Sequence, residues 1–460
     1  MSATSLIEAL ASLPDPRVAR TRVHKLVDIL AIALLAVIND ANGWEEMAAF
    51  GQKRRSWLEG FLELPGGLPC ADTYRRVFEA IDTDAFGACL LAMTSALAAD
   101  VRGRVVAIDG KTMRGSIDRR SGLPALHMVS AWVAEHGITL GQVATEEKSK
   151  EITVIPQLLQ TLDVRGAVVT IDAMGCQKKI AEAIVRAQAD YALALKDNHP
   201  TLRTEVEGLF AATDFEPALA AKLDVHTTEN KGHGRFETRR VSVLQDVTGL
   251  SDAAGWVGLK CVVMVERTRT VGESSSKETA CYLTSHISNA KRMGEIIRSH
   301  GSIENNLHWV LDVVFREDQS RVRSRGGATN LTAIRKLALS LLMLEKSEPG
   351  TSIARKRKIA SWEPDYAFLV LAGISRVLDA LALCWMTGME GPYDFMRLLW
   401  PPTSLVLDLA KLSGGAGDSF RAEAAADYAG LRKSGRAPTF RDERGGGRSP
   451  KGNQPYAPPS

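Results

Sequence analysis

Between residues 104 and 200 the apolar residues change period repeatedly, and the order of those changes restricts the fold more than anything else in the chain. RVVAID (104–109) is short, continuous and rich in β-branched residues, which predicts a buried strand. HMVSAWVAEHGITLGQVA (127–144) reads as two strands around a turn at Glu135 to Gly137. A helix is expected in KSKEITVIPQLLQTL (148–162), a strand in GAVVTID (166–172), a helix in QKKIAEAIVRAQA (177–189) and a strand in YALALK (191–196). Antiparallel strands followed by alternating helices and strands predict an α/β sheet with mixed pairing.

The flanking text differs. Residues 1–100 carry helical patterns, including the apolar stretch Leu26 to Ile38 and the segment that follows Asp72 and Thr73, a natural cap. They are expected to form a helical domain. Lys53, Arg54, Arg55, Arg75 and Arg76 give it two basic clusters, for which solvated helix faces and DNA contacts weigh equally. Residues 205–290 read as a β-rich insertion (RFETRRVSVLQDV, CVVMVERTRTV, ETACYLTSHI), with a turn at Gly232-His233-Gly234. Residues 290–345 read as helical, broken at Arg325-Gly326-Gly327. Helical segments are expected within 346–412, at Val377 to Met386 and Ser404 to Leu412. A disordered tail, 413–460, follows, in which Gly, Pro, Ser and charge leave too little apolar surface to bury.

Composition narrows function only a little. The net charge is +3, so the placement of basic residues matters more than their total. The 6 cysteines are scattered without a CxxC pair or a Cys/His cluster, which indicates neither zinc nor a disulfide framework. The most apolar stretch, Ile29 to Ile38, is too short to span a bilayer, and the amino terminus lacks a secretory layout. A cytoplasmic protein without membrane partners is the expectation.

The two apolar runs of the sheet each end on an aspartate, Asp109 and Asp172, which places both carboxylates where a strand leaves the core. Glu304, His308 and Asp312 follow one another at i, i+4 and i+8 on a helical pattern and so share a face. Two aspartates and a glutamate make a hard, all-oxygen cage of the kind that holds Mg²⁺ against phosphate, which points to phosphodiester chemistry. Glu317 and Asp318 are rival third ligands. His308 reads as a packed, hydrogen-bonded histidine. Lys111 and Arg114, just beyond Asp109, could reach phosphate oxygens. Arg321, Arg323 and Arg325 would point together in extended chain, towards phosphate or simply into solvent. His127 and His136 show no partner spacing for a catalytic triad.

DGKTMRGS, KSKEITVIPQLL, VTIDAMGCQ, YALALKDNHPTL, HGRFETR and SIENNLHWVLDVVFREDQSR together resemble the H-repeat-associated, ISAs-type transposases of bacterial insertion sequences. GGLPCADTYRRVFEAID resembles the helical segment that precedes their catalytic domain. The likeness runs from about residue 5 to about 373. It implies an all-helical N-terminal domain (1–100) and a ribonuclease-H-like catalytic domain (101–345) whose DDE triad is Asp109, Asp172 and Glu304. It further implies two Mg²⁺ ions (with Mn²⁺ as a substitute), cleavage at an element's ends and joining of the 3′-hydroxyl to target DNA. Double-stranded DNA, a dimer on that DNA and the bacterial cytoplasm are the expected partners and setting. Lys111, Arg114, Arg298, Arg321, Arg323 and Arg325 are the expected DNA contacts. Gly301 stands where the family prefers tryptophan, and Lys150 where asparagine is usual. The alternatives are a decayed transposase that only binds DNA and a related nuclease without strand transfer.

Overall fold

A computed structural model describes residues 10–98, 101–145, 147, 150–232 and 234–372. The segments expected at 377–386 and 404–412, the tail and His233 lie outside the described residues. The chain begins with helices α1 (Leu26–Ile38), α2 (Trp44–Lys53), α3 (Ala71–Ala80) and α4 (Thr83–Ala98). α1 is apolar on every side, and a helix of that kind must be enclosed. Twelve of its residues are buried, among them Leu30, Ile32 and Leu34. Of the basic residues that follow it, Arg55 pairs with Glu59, Arg75 and Arg76 pair with Asp72, and Arg54 donates to the Ser361 carbonyl.

The sheet is built from β1 (Val105–Met113), β2 (Leu126–Val133), β3 (Ile138–Thr145), β4 (Val168–Ile171) and β5 (Asp190–Leu195). Helices α5 (Glu151–Thr161) and α6 (Lys178–Arg186) intervene as the sequence predicts. Helix α7 (Pro200–Ala212) precedes four longer strands, β6 (Leu223–Gly232), β7 (Arg235–Leu244), β8 (Cys261–Val271) and β9 (Ser274–Thr284). All nine join one mixed sheet in the order β3-β2-β1-β4-β5-β9-β8-β7-β6. β1, β4 and β5 are parallel, and the pairings β1–β2, β2–β3 and β5–β9 are antiparallel.

Two local expectations are corrected. The start of the strand-rich segment is helical, because Pro200 opens a helix whose apolar residues Leu202, Val206 and Phe210 recur at four. Within that segment LDVHTTENKG, mostly polar, is β6, an edge strand held by its full ladder with β7. The late helical region is interrupted before Arg325 rather than at it. α8 (Ala290–His300), a π-turn (Glu304–His308) and α9 (Trp309–Val313) come first, and Arg325 then opens α10 (Arg325–Leu344). α11 (Ile353–Trp362) and α12 (Pro364–Ala372) close the described part.

Helices cover both faces of the first five strands. Val106, Ile108 and Val129 pack with Ile155, Leu158, Ile180 and Ile184 of α5 and α6. On the opposite face Ala107 and Trp132 join the core of the N-terminal helices, Ile303, Leu307, Leu311 and α10.

Candidate active site

Side chains alternate along a strand, so β1 has two rows. Val106 and Ile108 enter the core beneath α5 and α6; Val105 packs with Met293 and Ile296 of α8, and Ala107 with the neighbouring helices. Asp109 and Lys111 continue the second row. On β4, Val168 also packs with α8, and Thr170 and Asp172 follow it at two-residue steps. The parallel register sets Ile108 opposite Ile171, which brings Asp109 and Asp172 side by side just past the last pair. Asp109 is not the end of its strand, however. β1 runs on to Met113 because β2 still pairs with it, with Asp109 opposite Ser130 and Met113 opposite Leu126. Only the β4 side ends at the aspartates, and the end of a parallel pair is where open α/β sheets bind ligands.

Asp172 caps the short turn that follows it: its Oδ1 accepts from the amides of Met174 at 3.0 Å and Gly175 at 3.3 Å. Its Oδ2 makes no hydrogen bond among the described residues. The capping role and an outward-facing carboxylate oxygen therefore coexist on one side chain.

The helical side of the site contains a wide turn. The amide of Trp309 donates to the carbonyl of Glu304, an i+5 bond, and such π-turns concentrate at functional positions. His308 is buried, and its Nε2 lies 3.1 Å from Oδ2 of Asp109. Asp312, four residues on, meets Lys111 at 2.6 Å, two residues on from Asp109. Four residues of helix and two of strand both advance about 6 Å, which lets α9 follow β1 step for step. Ligand-capable atoms of Asp109, Glu304 and His308 all lie within 4.8 Å of one another. Asp172 is outside that group.

Burial alone would push the Asp109 carboxyl up. The hydrogen bond and charge of His308, with His300 and the Gly110 amide, bring it below its ordinary value instead. His300, at the end of α8, holds Thr170 Oγ1 at 3.1 Å from its Nδ1 and feels the charge of both aspartates, while burial lowers its own pKa. His308 is not the fully hydrogen-bonded histidine that the sequence suggests, since its buried Nδ1 has no partner among the described residues. Gly301 adopts an ordinary helical conformation (φ −64°, ψ −12°), and a Cβ there would come no nearer than 3.6 Å to the Arg298 carbonyl.

The other expected residues fall elsewhere. Lys111 is enclosed by Asp312, Glu317 at 3.0 Å and Asp318 at 3.5 Å. Burial would lower its pKa, but Glu317 and Asp312 raise it to about 12. Glu317 is buried and also accepts from Thr332 Oγ1 at 2.9 Å. Arg114, Arg298, Arg321 and Arg323 are exposed, and Arg325 begins α10 partly buried. On the other face of β1, Gly110 has Glu151 and His127 pressed against it. A Cβ would lie 2.3 Å from Glu151 Oε1 and 2.4 Å from His127 Nε2. His127 joins Glu151 at 2.5 Å and Thr112 at 2.8 Å, partners its spacing did not announce. His300 went unremarked too, although it stands four residues before Glu304, the same step that links Glu304 to His308.

The family described as Transposase DDE domain matches residues 101–341, and the DDE_Tnp_1-associated family matches residues 7–94. The chain belongs to the DDE transposase family. Among its relatives is "Putative transposase YncI" of Escherichia coli O157:H7, 40% identical over 382 residues, which cover 82% of this chain and 97% of the relative. "H repeat-associated putative transposase YhhI" of Escherichia coli K12 is 34% identical over 378 residues, 81% of this chain and 99% of that one. A solved piggyBac transposase synaptic complex with hairpin DNA covers 91% of this chain and 84% of its own at 9% identity. Its TM-score of 0.38 carries no argument. No helix among the described residues is long and apolar enough to cross a membrane.

Proposed function

We propose that this chain is the transposase of an insertion sequence, cutting DNA at the element's ends and joining the freed 3′-hydroxyl to target DNA. The observation that carries the reading is the alignment of Asp109 and Asp172 on adjacent parallel strands, opposite the turn that bears Glu304. The strand order β3-β2-β1-β4-β5, with its antiparallel hairpin and three parallel strands, supports a ribonuclease-H-like core.

The donor set suits a hard divalent cation, because two of the three clustered ligand atoms are carboxylate oxygens, from Asp109 and Glu304, and the third is the His308 imidazole. Asp109, Asp172 and Glu304 would hold Mg²⁺ or Mn²⁺, as two ions per site, which when bound supply Lewis-acid activation of water and charge stabilisation of the leaving 3′ oxygen. The chain's own contribution is to keep the cage ionised and placed. His308 holds Asp109 as a carboxylate, and the Met174 and Gly175 amides fix Asp172 by one oxygen. Arg114, Arg321 and Arg323 stand exposed for the DNA backbone, and two copies acting together would hold two ends. Lys111, committed to three carboxylates, positions the seam between α9 and β1.

The test is cleavage, with Mg²⁺, of DNA bearing the flanking element's ends, comparing the intact chain with Asp172→Asn. Cutting and end-joining by the intact chain alone is expected. Binding without cutting by either protein would replace this reading with a decayed transposase, and cutting without joining would leave a nuclease.

A further inference from the structure

β7 and β8 place two arginines directly opposite each other, Arg239 and Arg267, within the antiparallel ladder. Like charges in that position repel and destabilise a sheet, so the pair needs a compensating reason. Both side chains are partly enclosed, and the Nε of each is buried without a hydrogen-bond partner. A third arginine, Arg298 in the last turn of α8, lines the same cavity of about 760 Å³, together with His300, Ser302 and Asn305. Arg298 is exposed and pairs with no carboxylate among the described residues. Burial first, then the charge of Arg267 and, more weakly, that of Arg298, depress the pKa of Arg239 against the pull of Glu237.

The carboxylates around the cavity are already committed. Glu135 and Glu295 both lie against Arg292, at 3.9 Å and 3.2 Å. Glu237 holds one end of Arg239 at 2.7 Å, and Glu278 holds one end of Arg267 at 3.1 Å. What remains without a carboxylate among the described residues is Arg298, and the guanidinium groups of Arg239 and Arg267 are each paired with only one. Guanidinium groups with N–H donors to spare around one concavity recognise phosphate oxygens better than any neutral group. The cavity also touches the site, since His300 feels Asp109 and Asp172, and Asn305 follows Glu304.

We propose that Arg239, Arg267 and Arg298 form a phosphate subsite that grips the DNA backbone beside the acidic cage. The inference rests on the transposase reading and extends it: the β7–β8 hairpin side of the sheet becomes part of the substrate track, and the cross-strand arginine pair is stabilised by the strand it binds.

The test is equilibrium binding of the full chain to a duplex bearing the flanking element's end, measured across a series of NaCl concentrations. Each phosphate contact contributes about 0.9 to the slope of log K against log salt. Arg298→Gln and Arg267→Gln should each reduce that slope by about 1 and weaken binding by roughly tenfold at moderate salt. Arg298→Lys should restore most of the slope. Circular dichroism melts on the same samples show whether each variant is folded; Arg298 has no protein partner to lose. An unchanged slope in both folded variants overturns the subsite, whether or not the chain cuts. A reduced slope with uncut DNA keeps the subsite and removes only the cleavage reading. Inorganic phosphate displacing no DNA while the slopes still fall supports the polynucleotide over the free ion; Arg298-dependent phosphate binding with unchanged DNA slopes overturns it.

Discussion

Two acidic clusters lie one step apart along the same seam between β1 and α9, and they differ in what holds them. At Lys111 the carboxylates of Asp312, Glu317 and Asp318 converge on an ammonium supplied by the chain itself. At Asp109 the partner is the His308 imidazole, and Asp172 has only two amides; neither aspartate has a lysine or arginine partner among the described residues. The first cluster is complete. In the second, the carboxylates are oriented by an imidazole and two amides, with no ammonium or guanidinium beside them among the described residues. Alternate positions of a single strand, Asp109 and Lys111, thus each meet side chains from the following helical segments, and the difference is the presence of one built-in cation.

That contrast can be broken first at Lys111. Lys111→Ala removes the strongest of the charges that act on buried Glu317, leaving it Arg335, Lys336 and the Thr332 hydroxyl, and removal of one partner of a buried pair costs up to about 3–5 kcal/mol. Urea unfolding should show a loss of that size. A variant as stable as the parent would mean that the first cluster is no more self-sufficient than the second.

Asp28 sharpens the comparison, as a buried carboxylate with no cation in contact. Its Oδ2 accepts only from the Leu64 amide at 3.2 Å, and burial raises its pKa to about 6. The folded value lies above the unfolded one, so the ionised group costs nothing below about pH 4, and the cost grows as pH rises through about 6. Asp28→Asn should therefore stabilise the chain by about 2–3 kcal/mol at pH 8 and by almost nothing near pH 4. Equal effects at both values would show that the hydrogen bond, not the charge, governs the site.

Gly110→Ala probes the strand beneath both clusters. Its Cβ would strike Glu151 and His127, whose packed side chains must shift, at about 1–3 kcal/mol. A melt unchanged by the substitution would show that this face of β1 is loose.

Much of the seam was legible in the sequence, and the part that was not has a physical cause. RVVAID and GAVVTID announced two strands, and placing them together required only the parallel pairing that alternating helices enforce. The i, i+4 step from Glu304 to His308 was visible as well. The partner of Lys111 was not, because Glu317 stands 206 residues away and one lysine beside an aspartate looks the same whether solvent or a carboxylate faces it. The π-turn has no residue signature, since it differs from an α-helix only in which carbonyl accepts. Strand β6 is polar because it is an edge, where alternation no longer reports a core. Arg239 and Arg267 face each other only through the β7–β8 register, which no local pattern fixes.

The proposed role of the Asp109 cluster is to bind a divalent cation where the Lys111 cluster uses an ammonium of the chain. Mn²⁺ binding to the intact chain, followed by titration calorimetry without DNA, addresses it directly. Binding by the parent, loss in Asp109→Asn and full retention in Asp318→Asn is the predicted result. Mn²⁺ binding that survives Asp109→Asn unchanged would contradict the account.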